Sequence, residues 1–192
     1  MPFFAYKGRN AKGELMQGVL EGAEALRPVL AARSGWRARL LLAEAARHPG
    51  YAERVRAALA PVTSQVQWQE DVPHEIVKKA FEKAAISLVP SVWEEPFGRT
   101  ALEAMAAGSA LVTSARGGLR EIVGSDEEGA AFILPSVEPA AIEAALMTLT
   151  ADEGARTALS IRGRTRAREL FDIRSVAATF DHALSMIAKG LR

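Results

Sequence analysis

At 192 residues, with 49% hydrophobic and 24% charged side chains, the chain has the make-up of an ordinary soluble globular protein and enough length for one α/β domain. A net charge of +1 gives no general case for nucleic acid or an anionic membrane. The lack of cysteine excludes disulfides, thiolate metal sites and a cysteine nucleophile. No apolar run approaches the roughly 20 residues of a membrane span, and no signal peptide is expected, because the short apolar start runs straight into Lys7 and Arg9. The expected location is cytoplasmic, with peripheral membrane contact left open.

In chain order, Pro2 to Tyr6 predicts a strand that enters a loop of cationic and small residues, Lys7 to Gly13. Helical spacing follows through Leu15, Val19, Leu20, Ala23, Leu26, Val29 and Leu30, and Ser34-Gly35 closes it. Pro28 is expected to kink or loosen that helix. Arg39 to Ala43 is the second expected strand, with Trp36 just ahead, and His48-Pro49-Gly50 turns into a short helix over Tyr51 to Leu59. Val66 to Trp68 predicts a third strand, Asp71-Val72-Pro73 a loop, and His74 to Ala84 a helix. The apolar run up to Val89 predicts a buried strand; Pro90, Pro96 and Gly98 then break the chain, and from Arg99 the residues suit a helix that Gly108 is placed to end. A strand over Ala110 to Thr113, a helical turn over Leu119 to Val123 and a last strand over Ala130 to Leu134 follow. Helices over Glu138 to Leu149, Glu153 to Leu170 and Ser175 to Ala188 complete the pattern. Strand–helix alternation of this kind predicts an α/β fold of one domain over 1–192: a single doubly wound, mostly parallel sheet of about six strands with helices on both faces. The loops after the first, third and fourth strands then share one edge.

Chemistry concentrates on that edge. Glu95 falls in the loop after the fourth strand and Glu103 lies one to two turns into the next helix, and neither position needs a carboxylate for folding. The free N–H groups and positive dipole end of that helix would attract a phosphate. The stretch Pro90 to Gly108 resembles the E-x7-E region of retaining GT-B glycosyltransferases of the family-4 type. Glu95 and Glu103 have the spacing, Glu94 is one residue out of register, and Phe97, Gly98, Ala104, Met105 and Gly108 also match. Similarity continues through Gly117-Gly118-Leu119-Arg120-Glu121-Ile122-Val123 and Phe171-Asp172-Ile173-Arg174. It covers nearly the whole chain and corresponds to the donor-binding C-terminal half of such an enzyme.

The resemblance implies a nucleotide-sugar donor, a UDP- or GDP-sugar, with no cofactor and no metal. Glu95 would meet hydroxyls of the transferred hexose and Glu103 the ribose. Backbone N–H groups at Phe97, Gly98, Arg99 and Thr100 would face sugar and phosphates, and Val72 would floor the base. Arg9 and Lys12 would neutralise the leaving diphosphate, although an alternative alignment sets Gln17-Gly18 where relatives have Lys-Gly. A second departure is Ala43-Glu44-Ala45-Ala46-Arg47, where many relatives carry Ala-Gly-x-Gly. The acceptor-binding domain, or a partner chain in its place, is missing from the sequence, and the helix over 175–189 would pack toward it. The chain alone would bind donor and transfer little; the setting by resemblance is polysaccharide synthesis. The alternative is a non-catalytic nucleotide-sugar-binding or interaction module.

The blander readings stand beside these. Glu103 also suits a surface pair with Arg99 one turn earlier. His74 opens its helix at the surface or touches ligand, and His48 and His182 are read as structural. Gly117-Gly118 permits a tight turn near the cleft, and Trp36, Trp68 and Trp93 are expected to pack as core or cleft wall. A dinucleotide-dependent dehydrogenase would need G-x-G-x-x-G after the first strand, which Lys7 to Gly13 lacks. No nucleic-acid recognition motif is present.

Overall fold

Six short runs become parallel strands in the computed structural model, which describes residues 3–6, 18–42, 49–125 and 127–190. They are β1 (Phe3–Tyr6), β2 (Arg37–Leu42), β3 (Val66–Glu70), β4 (Ala84–Val89), β5 (Ala110–Thr113) and β6 (Phe132–Ile133). β2 pairs with β3, and β4, β5 and β6 form a parallel triplet. β1 lies between these groups and joins them, with Tyr6 in register with Leu40 on one side and Leu88 on the other. The resulting order is β3-β2-β1-β4-β5-β6. The chain reverses its direction of winding between β1 and β4, and ligands of open α/β sheets sit in the crevice outside the strands' carboxyl ends at such a point.

Helices cover both faces. On one, α1 (Gly18–Ala32), α2 (Pro49–Leu59) and α6 (Pro139–Ala151) bring Leu26, Leu30, Val55 and Leu146 against Leu40, Ile86 and Val112. On the other, α3 (His74–Lys83), α4 (Arg99–Ala107), α5 (Gly118–Val123) and α7 (Glu153–Phe171) bring Val77, Phe81, Met105 and Leu119 against Leu41, Val89 and Leu111. Adjacent strand residues such as Leu40 and Leu41 thus serve opposite cores, which is why these strands read as unbroken apolar runs. A last helix, α8 (Ile173–Gly190), has no buried residue.

Several elements differ from expectation. The helix α1 continues past Pro28 to Ala32; Val29 and Leu30, fully buried just after the proline, hold it to the sheet despite the lost hydrogen bond. A 3-10 segment, Ala60–Gln65, fills the link from α2 to β3. Gln65 Nε2 ties it down by donating to the carbonyls of Leu30, Arg33 and Trp36. The last strand shrinks to Phe132–Ile133, because Gly129 turns the chain with φ +58° and only those two residues pair with β5. Of the tryptophans, Trp36 is buried, while Trp68 lies half-exposed beneath the Arg56 guanidinium, 4.8 Å from its ring centre.

Candidate functional site

Two loops at the carboxyl edge of the sheet are laced together. The loop after β4 runs from Pro90 to Gly98, and the loop after β5 runs from Ser114 to Gly117. Thr113 Oγ1 donates to Val89 O (2.9 Å), Ser114 Oγ to Ser91 O (2.7 Å), Arg116 Nη1 to Val92 O (2.8 Å) and the Gly118 N–H to Glu95 O (2.6 Å). Glu95 and Gly117 also form an isolated parallel bridge. Each contact moves both partners further along their chains, so the second loop acts as a splint for the first.

The two glycines make this approach possible. A Cβ at Gly117 would lie 2.5 Å from Glu95 O, and one at Gly118 would lie 2.7 Å from Phe97 Cα. Gly117 itself has φ +55° and ψ −134°, backbone that residues with a Cβ avoid. The expected tight turn is therefore a close crossing of two backbones, and it fixes the position of Glu95.

The Glu95 side chain is half-buried; its Oε1 accepts from Ser91 Oγ at 2.7 Å. Burial pushes its carboxyl above the usual range, while the Ser91 hydroxyl and the Trp93 indole pull the other way. The indole Nε1 is buried beside this carboxyl without a well-formed hydrogen bond. A carboxyl raised in the folded state binds more protons there than in the unfolded chain. Its contribution is therefore most favourable below the ordinary carboxylate value and is lost as pH rises through the raised one. Glu95→Gln should then gain stability relative to wild type as pH rises above the ordinary carboxylate value of about 4, read as the change in urea midpoint difference. A difference that stays flat as pH rises would remove the burial effect.

The helix α4 begins at Gly98, in left-handed backbone (φ 87°, ψ 40°), with no side-chain cap. The N–H groups of Arg99 and Thr100 have no acceptor among the described residues. They and the dipole give this end an affinity for anions. Phe97, 48% exposed, meets the ring of Phe171 edge-on at 6.3 Å, so the end of α7 reaches the same loop.

Glu103 engages two helices. Its Oε1 pairs with Arg99 Nε at 3.1 Å, the surface pair noted above, and its Oε2 bonds His74 Nε2 at 2.9 Å. A hollow of about 250 Å³ lined by Lys78, Glu82, Glu103, Ala106 and Ala107 opens alongside. Val72 is half-buried against the core that α3 and α4 share, just ahead of His74. A larger hollow, about 500 Å³ and lined by Ala85, Gly108, Glu153, Arg156, Thr157 and Ser160, lies toward the opposite, amino end of β4 and β5.

The edge thus collects Val72, Glu95, Phe97, Gly98, Arg99, Thr100 and Glu103. Arg9, Lys12, Gln17 and Glu44 lie outside the described residues. Sequence reasoning passed over Ser91, Ser114, Arg116 and the bond from His74; the partners of Ser114 and Arg116 lie 23 and 24 residues away, and no local pattern signals them. Among the described residues no three His, Asp or Glu side chains gather as a metal-binding set, and no helix is long and apolar enough to cross a membrane.

The family described as Glycosyl transferases group 1 matches residues 51–166. The MMP alpha-(1->4)-mannosyltransferase of Mycolicibacterium hassiacum is 31% identical over 143 residues, which are 72% of this chain and 34% of that protein. Across the curated relatives the matched stretch spans between 14% and 38% of their own lengths. Anabaena Alr3699/HepE, solved in complex with UDP and glucose, superposes with a TM-score of 0.74 at 19% identity, over 96% of this chain and 48% of that one. The C-terminal domain of the group 1 glycosyl transferase LpcC from Francisella tularensis superposes with a TM-score of 0.76 at 20% identity, over 90% of this chain and 86% of that domain. The α/β fold with parallel strands is that of GT-B glycosyltransferase structures. The matched residues 51–166 run from α2 into α7 and take in both laced loops and the Glu95–Glu103 helix start, and on that match the chain belongs to the glycosyl transferases group 1 family.

Proposed function

We propose that the chain is the donor-binding half of a retaining glycosyltransferase of the family-4 type, taking a UDP- or GDP-sugar without a metal ion. The observation that carries the reading is that Glu95, seated by the Gly117-Gly118 crossing, precedes the uncapped start of α4 and Glu103 follows it, at the sheet's switch point. Glu95 accepts from hydroxyls of the hexose and Glu103 from the ribose. The N–H groups around Phe97, Gly98, Arg99 and Thr100 hold the phosphates, and Val72 supports the base. Arg9 and Lys12 offset the charge that grows on the diphosphate as the sugar leaves; if Gln17 takes the family position, Lys12 reaches the site from an extended loop or that second cation is missing. The acceptor then attacks from the face the diphosphate departs, assisted by that leaving group. UDP in the Anabaena neighbour and the mannosyltransferase name of the mycobacterial relative support a nucleotide-sugar ligand.

The helix α8 supports a missing second half. Ile173, Val176, Phe180, Leu184 and Ile187 are all exposed and recur at helical spacing. An acceptor-binding domain or a partner chain would cover this stripe, and without it the chain binds donor and transfers little. The same stripe favours the second reading, a non-catalytic module docked on a partner; hydrolysis of a nucleotide sugar by this chain would argue against that module.

The deciding experiment is isothermal titration of UDP and GDP into wild type and Glu103→Ala. One nucleotide is expected to bind wild type, and the substitution to cost about 1–3 kcal/mol, roughly a 5- to 150-fold rise in Kd. Equal affinity in a folded Glu103→Ala would remove the ribose role.

A further inference from the structure

We propose that His74 is a positioning residue for the nucleotide, holding the Glu103 carboxylate so that its remaining lone pairs meet the vicinal hydroxyls of a ribose. The inference rests on the ribose role given to Glu103 above. A carboxylate offers about four acceptor positions. Arg99 takes one on Oε1 and His74 takes one on Oε2. One position on each oxygen is left, the pattern that two neighbouring hydroxyl donors fill.

The two partners do different work. Arg99 sits one turn before Glu103 on α4 and is 73% exposed, so it moves with the helix that carries the acid. His74 belongs to α3 and is 29 residues distant in sequence, so its bond spans two elements. Among the described residues this is the one hydrogen bond from the Glu103 carboxylate to the segment that carries Val72, and so it sets the ribose position relative to the base. The imidazole makes no other hydrogen bond among the described residues: it is 44% exposed, and α3, capped by Pro73, has no side-chain cap. Lys78, the nearby cation on α3, is engaged by Glu75 at 2.6 Å and does not replace it. Fixing the acid before the ligand arrives lowers the ordering cost of binding.

The test is titration of UDP and GDP, each with its 2′-deoxy counterpart, into wild type, His74→Ala, His74→Gln, Glu103→Ala and the double variant His74→Ala/Glu103→Ala. His74→Ala should weaken the ribonucleotide about three- to ten-fold, weaken the 2′-deoxy ligand less, and add nothing once Glu103 is alanine. Glutamine restores a donor near the position of Nε2 and should recover most of the affinity. An unchanged Kd in His74→Ala while Glu103→Ala binds weakly would overturn this inference alone, as would an equal loss in the Glu103→Ala background. Nucleotide binding that ignores Glu103→Ala, or no binding by wild type, would overturn the ribose reading and this one with it. Thermal melts of each variant exclude a folding defect as the cause.

Discussion

Gly117→Ala should be among the most damaging single substitutions on the cleft edge. The added methyl would lie 2.5 Å from Glu95 O and 2.7 Å from Glu95 N, both backbone atoms that cannot rotate away. The residue would also keep φ +55°, a conformation that costs a side chain about 1–3 kcal/mol. Overpacking adds about 1–3 kcal/mol, so a loss of roughly 2–6 kcal/mol in urea unfolding is expected. The alternative to that loss is separation of the two loops, which would break the bond from Gly118 to Glu95 O and release the acid. The variant should therefore be weakened in stability, in nucleotide-sugar binding, or in both. Wild-type values in both measurements would show that the loops do not need to cross this closely.

Leu119→Ala is the second large effect. Leu119 is fully buried, and its Cδ2 and Cγ fill the space a side chain at Gly98 would occupy. Truncation leaves a cavity under the first turn of α4, at an expected cost of about 2–5 kcal/mol. Leu119→Met, which nearly conserves volume, should cost less than about 1.5 kcal/mol. Chemical denaturation of the two variants side by side separates cavity formation from a general intolerance at the site. Equal losses would mean that shape, and not lost volume, governs this contact.

The laced loops also show where sequence reading succeeds and where it stops. β4 and β5 were legible because a run such as Leu111-Val112-Thr113, bounded by Gly108 and Gly117, has few alternatives to a buried parallel strand. Glu95, Glu103 and the glycine pair were legible because their spacing is local. The lacing was not, since Ser114 and Arg116 bond carbonyls that any residue would present at those points. His74 illustrates the same limit: its place at the head of α3 could be read from the chain, but its bond to Glu103 depends on how α3 and α4 pack. The short β6 and the 3-10 segment were obscured for a related reason, because Ala130, Ala131 and Val62 are buried without belonging to a strand or a regular α-helix. The stripe on α8 was visible as apolar spacing, and its residues are exposed as that spacing left open.

The helix α4 has nine residues and a left-handed glycine at each end, Gly98 with φ 87° and Gly108 with φ 86°. Neither end has slack: the first glycine is pressed on Leu119, and the second closes the helix through bonds to Ala104 and Met105. One inserted residue would turn everything beyond it by about 100°. Glu103 would swing off His74, or Gly108 would leave its cap. Peripheral loops absorb added length cheaply, but here the count of residues is itself a ruler, and the separation of the two acids is measured against it.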